Sequence, residues 1–135
     1  IPNDPSNGAR ALLMLADKGF IEVKDKNSVT TTVADITKND KKYKIQELDA
    51  ASIPKAMPDL DIAVINANYA LVAKLNPSKD SLLIERNDNP FLNIFVTTKA
   101  NEKDPRIAQL KKIYQSAENK KFIADHFKGT ITAGF

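Results

Sequence analysis

Asp61-Ile62-Ala63-Val64-Ile65-Asn66-Ala67-Asn68-Tyr69-Ala70-Leu71-Val72-Ala73-Lys74-Leu75 is the stretch that decides how this sequence of 135 residues is read. Ile62 to Ile65 is a continuous apolar run, the pattern of a parallel strand buried on both faces. Asn66 follows at once, and Ala67 to Leu75 reads as a helix stopped by Asn76-Pro77. A strand passing into a helix through a single polar residue is the repeating step of α/β architectures. In open sheets of that class ligands collect beyond the carboxyl ends of the strands. Asn66 falls at such an end. Its amide offers donors and an acceptor, suited to a zwitterion; Asn66 or Asn68 capping the helix that follows is an equally good reading, and the two roles are compatible.

The same alternation extends in both directions. Upstream, Ile1 to Ser6 reads as a strand end and a loop, and Ser6 or Asn7 can cap a helix carrying Ala11, Leu12, Leu15 and Ala16 on one face. Gly19 is placed to end it in a left-handed conformation. Phe20 to Val23 reads as extended, Thr32 to Asp35 as the start of a short helix, and Lys44 to Leu48 as a half-buried strand. A brief helix is expected from Ala50 to Met57. Downstream, Leu82 to Glu85 and Phe91 to Thr98 are strand candidates, followed by helices over Pro105 to Gln115 and Glu118 to Phe127, with Gly129 closing the last.

Composition narrows the function classes. Hydrophobic residues make up 42% of the chain and charged residues 27%, enough apolar material for one ordinary domain and too little charge for disorder. No apolar run approaches the roughly 18 to 20 residues that cross a bilayer. With no cysteine, disulfides, thiol nucleophiles and cysteine metal sites are excluded from this segment. The net charge of +3 comes from lysines interleaved with acids, a solvated surface rather than a nucleic-acid footprint. The chain starts on Ile1-Pro2 without an initiator Met, which reads as a processed or truncated start.

Few residues suggest chemistry. In Asn3-Asp4-Pro5-Ser6-Asn7-Gly8-Ala9-Arg10, the amides at a helix start favour an anion, Arg10 adds a planar fork suited to a carboxylate, and Gly8 would let a ligand approach the backbone. On spacing alone this is a capped helix with an exposed arginine, although a cation there opposes the helix dipole. His126, the single histidine, sits near the end of the last helix, an ordinary surface position. Ser6, Ser28 and Ser52 lack a recognisable base, no nucleophile elbow, phosphate loop or dinucleotide fingerprint is present, and the carboxylates are scattered. Neither an enzyme nor a metal or cofactor site is suggested.

Four blocks in order, Ile1 to Leu13, Glu47-Leu48-Asp49-Ala50-Ala51 with Ile53-Pro54-Lys55-Ala56, Ala63 to Ala70, and Asn89 to Ile94, together with Lys120-Lys121-Phe122-Ile123 and Phe127-Lys128-Gly129, resemble the NlpA-type methionine-binding lipoproteins. The resemblance implies an α/β, periplasmic-binding-protein-like fold of type 2. The chain would comprise the second lobe, residues 1–89, and the returning C-terminal segment of the first lobe, residues 90–135, as a crossover strand and helices. The amino-terminal part of the first lobe, with its lipid-anchored cysteine and most of the side-chain pocket, would lie outside the chain. The implied role is the substrate-binding component of an ABC importer, lipid-anchored in the cell envelope and delivering L-methionine or a close relative to its permease. Arg10 would pair with the ligand α-carboxylate, Asn7 and Asn66 would hydrogen-bond its polar head, and Asn68 and Asn93 are weaker candidates. Alternatives are D-methionine, another amino acid or a dipeptide, or a surface lipoprotein acting in host interaction. Residues 90 to 135 would carry apolar faces meant for the absent lobe, and so fold back, exchange between chains or stay poorly ordered.

Overall fold

The computed structural model describes residues 1–86 and 90–135 and divides them into two compact units, Ile1–Glu85 and Arg86–Phe135. In the first, helix α1 spans Pro5–Asp17. It begins earlier than its sequence suggests. Asp4 is the cap, its carboxylate accepting the Asn7 N–H at 2.9 Å, and Pro5 takes the first helical position, where no N–H is needed. Neither Ser6 nor Asn7 is therefore the cap; Asn7 lies inside the first turn. At the other end Gly19 adopts φ 77°, the Gly19 N–H reaches the Ala16 carbonyl at 3.2 Å, and the Phe20 N–H reaches that of Leu15 at 2.9 Å. This is a Schellman termination, and Phe20 packs back toward the face that Leu15 buries.

The buried face of α1 supplies the core. Leu12, Leu15 and Ala16 pack with Ile21 and Val23, with Val33, Ile36, Tyr43 and Val64 closing around them. Full burial of a side chain such as Leu12 contributes about 1.5–3 kcal/mol. Strands β1 (Glu22–Val23) and β2 (Ile36–Lys38) pair antiparallel, Glu22 opposite Lys38 and Val23 opposite Ile36. Between them Thr32 to Asp35 forms a capping box over a single 3₁₀ turn, which is all that becomes of the short second helix. Pro2 bridges to Leu48 in parallel, with Asn3 N–H on the Leu48 carbonyl at 2.8 Å. Lys44 to Leu48 otherwise forms no ladder.

Helix α2 (Ile53–Ala56) runs into a 3₁₀ turn over Met57–Asp59, and its Ile53 is fully buried. The segment Ile62–Ile65 is not a paired strand. It is half-buried, Val64 reaching the core while Ile62 stays 49% exposed, and no strand among the described residues lies alongside to complete its hydrogen bonds. Helix α3 covers Ala67–Val72, shorter than expected, and Asn76, beyond its end, caps a further turn, α4 (Pro77–Asp80). Leu82 to Glu85 likewise joins no strand ladder among the described residues.

The second unit holds helices α5 (Pro105–Tyr114) and α6 (Ala117–Phe127). Asp104 caps the first and Ser116 the second, and Lys128 with φ 47° ends α6 one residue before Gly129. Tyr114 meets Phe95 edge-on at 4.8 Å between ring centroids. Phe91 to Thr98, expected as a strand, joins no ladder among the described residues, and Ile94, Phe95 and Val96 are exposed. Asn89, in the sequence block just before it, lies outside the described residues. Among the described residues no helix is long and apolar enough to cross a membrane.

Candidate functional site

Three of the five candidate residues, Asn7, Arg10 and Asn66, are built into the contacts of the first unit, and two of them, Asn7 and Asn66, meet there. Asn7, in the first turn of α1, uses both ends of its amide: Nδ2 donates to the two Asp4 carboxylate oxygens at 3.0 Å each, and Oδ1 accepts from Asn66 Nδ2 at 2.7 Å. Asn66 occupies the N-cap position of α3, where its carbonyl accepts the Tyr69 and Ala70 N–H groups. Its side chain does not cap that helix. It reaches across to Asn7 instead, a partner 59 residues away in sequence. The remaining Asn66 oxygen, Oδ1, is buried without a hydrogen-bond partner among the described residues. An acceptor left in that state costs about 1–3 kcal/mol, so its retention points to a group that supplies a donor.

Arg10 lies one turn beyond Asn7 on α1. Its guanidinium engages the Glu85 carboxylate with two nitrogens, Nε donating to one oxygen at 2.8 Å and Nη2 pairing with the other. The pair is part-buried, and the Glu85 contact holds the arginine pKa above its ordinary value. Glu85 was not singled out from sequence. Its signal was present only as a carboxylate closing the Leu82–Glu85 segment, with nothing to connect it to residue 10. The geometry fits an arginine kept in a fixed orientation, with a carboxylate-shaped partner already matched to its fork.

Asn68 is exposed on α3, and Asn93 is exposed in the second unit. Gly8 behaves differently from its expected role. The space beside it is taken by the chain, since a β-carbon there would stand 3.0 Å from the Pro2 carbonyl oxygen. It permits α1 to pack against the Pro2–Leu48 bridge rather than admitting a ligand. A cavity of about 280 Å³ beside the helix start is lined by Asp4, Gly8 and Thr31 among others, but not by Asn7, Arg10 or Asn66. His126 stacks on Phe122 at 5.1 Å and meets Phe127 edge-on, an exposed aromatic group on α6. Among the described residues no three His, Asp or Glu side chains gather as a metal site.

An arginine and a carboxamide pair can pair with a carboxylate and hydrogen-bond a small polar molecule, and the comparisons with known proteins give the fold that carries them a family. The NlpA lipoprotein family model matches residues 1–135, and the chain belongs to this family. It is 36% identical to the probable D-methionine-binding lipoprotein MetQ of Vibrio cholerae, over all of this chain and 50% of that protein. A nutrient-binding protein of Burkholderia cenocepacia, solved bound to methionine, is 45% identical with a TM-score of 0.87, over 100% of this chain and 57% of its own. A periplasmic substrate-binding protein of an ABC transporter from Coxiella burnetii is 40% identical with a TM-score of 0.84, over 98% of this chain and 56% of its own. The fold is that of the periplasmic-binding-protein class, and the chain spans about half the length of the curated relatives it matches.

Proposed function

We propose that this chain is part of the substrate-binding component of an ABC importer and that it grips the head group of methionine or a close relative. The observation that carries the reading is the Asn7–Asn66 amide pair, with Arg10 one turn beyond Asn7 on the same helix. A zwitterion taken out of water must have both charges paired. Arg10 answers the α-carboxylate, and Asn66, backed by Asn7, answers the polar head; Asn68 and Asn93 are secondary candidates. The methionine-bound Burkholderia protein and the Vibrio relative named for D-methionine support the choice of ligand.

In this reading residues 1–89 belong to the second lobe, and 90–135 supply the crossover strand and C-terminal helices of the first. The division of the chain into units after Glu85 supports that assignment. The protein is not an enzyme; it is held in the cell envelope by a lipid anchor and hands its cargo to a permease. Closure of the lobes follows from ligand contacts made on both sides only in the closed state.

Titration calorimetry of the full-length natural protein, stripped of ligand, with a panel of L- and D-amino acids and methionine dipeptides tests the reading. Arg10→Ala is expected to weaken binding by about 2–5 kcal/mol, the cost of truncating one member of a buried charge pair. No binding of any amino acid by the stripped wild-type protein would sink the proposal.

A further inference from the structure

Asp4, Asn7 and Asn66 form a row of hydrogen bonds whose direction is set at one end. A carboxylate offers acceptors only. Asn7 therefore turns its Nδ2 toward Asp4, 3.0 Å from each oxygen. Its Oδ1 is left facing Asn66, which must present Nδ2, and does so at 2.7 Å. The Asn66 oxygen is thereby sent to the far side of the row, buried and without a donor among the described residues. Turning over Asn7 would set its oxygen against the Asp4 carboxylate, and turning over Asn66 would set two oxygens against each other.

We infer that Asp4 is a positioning residue: acting through Asn7, it fixes the amide of Asn66 so that the site offers an acceptor to the ligand's α-ammonium group. The inference rests on the amino-acid-binding reading above and divides the head group between two devices, Arg10 for the carboxylate and Asn66 Oδ1 for the ammonium. An isolated asparagine can rotate its amide and accept or donate with equal ease, so it distinguishes an amine poorly from an acceptor group. An asparagine at the end of a row anchored on a carboxylate has lost that choice. The Asn7 N–H and amide hold the Asp4 carboxyl below the usual carboxylate range, which keeps the anchor an acceptor at neutral and mildly acidic pH. The ligand class that follows is an acid with a free α-amine, in preference to the same molecule lacking it.

Two variants of the full-length natural protein test the relay. Asp4→Asn can still cap α1 through its amide oxygen but places a donor against Asn7, which reverses or breaks the row. Asp4→Ser keeps a capping oxygen and removes the anchor. Each variant is titrated with methionine and with its des-amino analogue, and the side-chain amide resonances of Asn7 and Asn66 are followed by NMR. In the wild type methionine should bind more tightly than the analogue. In Asp4→Asn that advantage should shrink by about tenfold, with analogue affinity nearly constant and both amide signals shifted; Asp4→Ser should fall between. Equal losses for both ligands, or none, would overturn the inference, as would unmoved amide resonances. Failure of the wild type to bind any amino acid would defeat the functional reading instead, and the amide resonances of the unliganded variants would then decide the relay alone.

Discussion

Arg10 and Glu85 are 75 residues apart in sequence and joined through two nitrogens and two oxygens, with side chains 32% and 27% exposed. That degree of exposure sets the scale of the contact. A fully exposed pair contributes about 0–1 kcal/mol, and a part-buried, two-pronged one stands at or just above the top of that range. A double-mutant cycle with Arg10→Ala and Glu85→Gln, read by urea unfolding, should give a coupling of about 0.5–1.5 kcal/mol. Coupling indistinguishable from zero would show that the pair adds nothing to stability. Ligand titration of Glu85→Gln adds a second reading, since an arginine that loses its orienting carboxylate should bind a ligand carboxylate with altered affinity while the fold persists.

Among the elements, α1 shows how short-range chemistry fixes a boundary. Gly19→Ala puts a β-carbon on a backbone at φ 77° and should cost about 1 kcal/mol, visible as a lowered urea midpoint with an unchanged slope. The 3₁₀ turn before β2 has a pH signature. Asp35 accepts from the Thr32 N–H and hydroxyl and from Lys24, and its pKa is lowered to about 2. Because the folded value lies below the unfolded one of about 3.9, its stabilising effect is complete above that value and is lost as pH falls through about 2. An NMR titration of the Asp35 carboxyl should show the low midpoint, and Asp35→Asn should flatten the acid limb of the stability curve. These local features were mostly legible in sequence: Gly19, the Thr32–Asp35 box and the helices over Pro105 to Phe127 were all expected. The start of α1 was misplaced because Asp4 and Ser6 are both good caps, and only the position of Pro5 decides between them. The strands at Ile62–Ile65 and Phe91–Thr98 did not form because pairing is a property of neighbours, which an apolar run cannot specify. Within the candidate site, Arg10 and Asn66 could be singled out from their helix and strand ends, while the Asn7–Asn66 contact and Glu85 depend on folding over 59 and 75 residues.

For the molecule as a whole, the exposed apolar side chains carry the main consequence. Leu82 is 98% exposed and Val96 85%, with Ile84, Ile94, Ile113 and Phe122 also turned outward. Surfaces of this kind mark association or burial against further protein. The 135-residue chain on its own is expected to self-associate with rising concentration, measurable by light scattering after size exclusion, and to bind methionine weakly if at all. A compact monomer with strong affinity would contradict the lobe assignment. The long span of the Arg10–Glu85 contact also bears on how the protein is made. Helix α1 forms from local contacts near the start of the first unit, and it already carries Asn7 and Arg10. Asn66 and Glu85 arrive from the ribosome much later, and closing loops of 59 and 75 residues is the slow part of folding. The Asn7–Asn66 and Arg10–Glu85 contacts are therefore expected to be the last of the first unit to mature, and a chain interrupted before residue 85 should hold a well-formed helix without its ion pair.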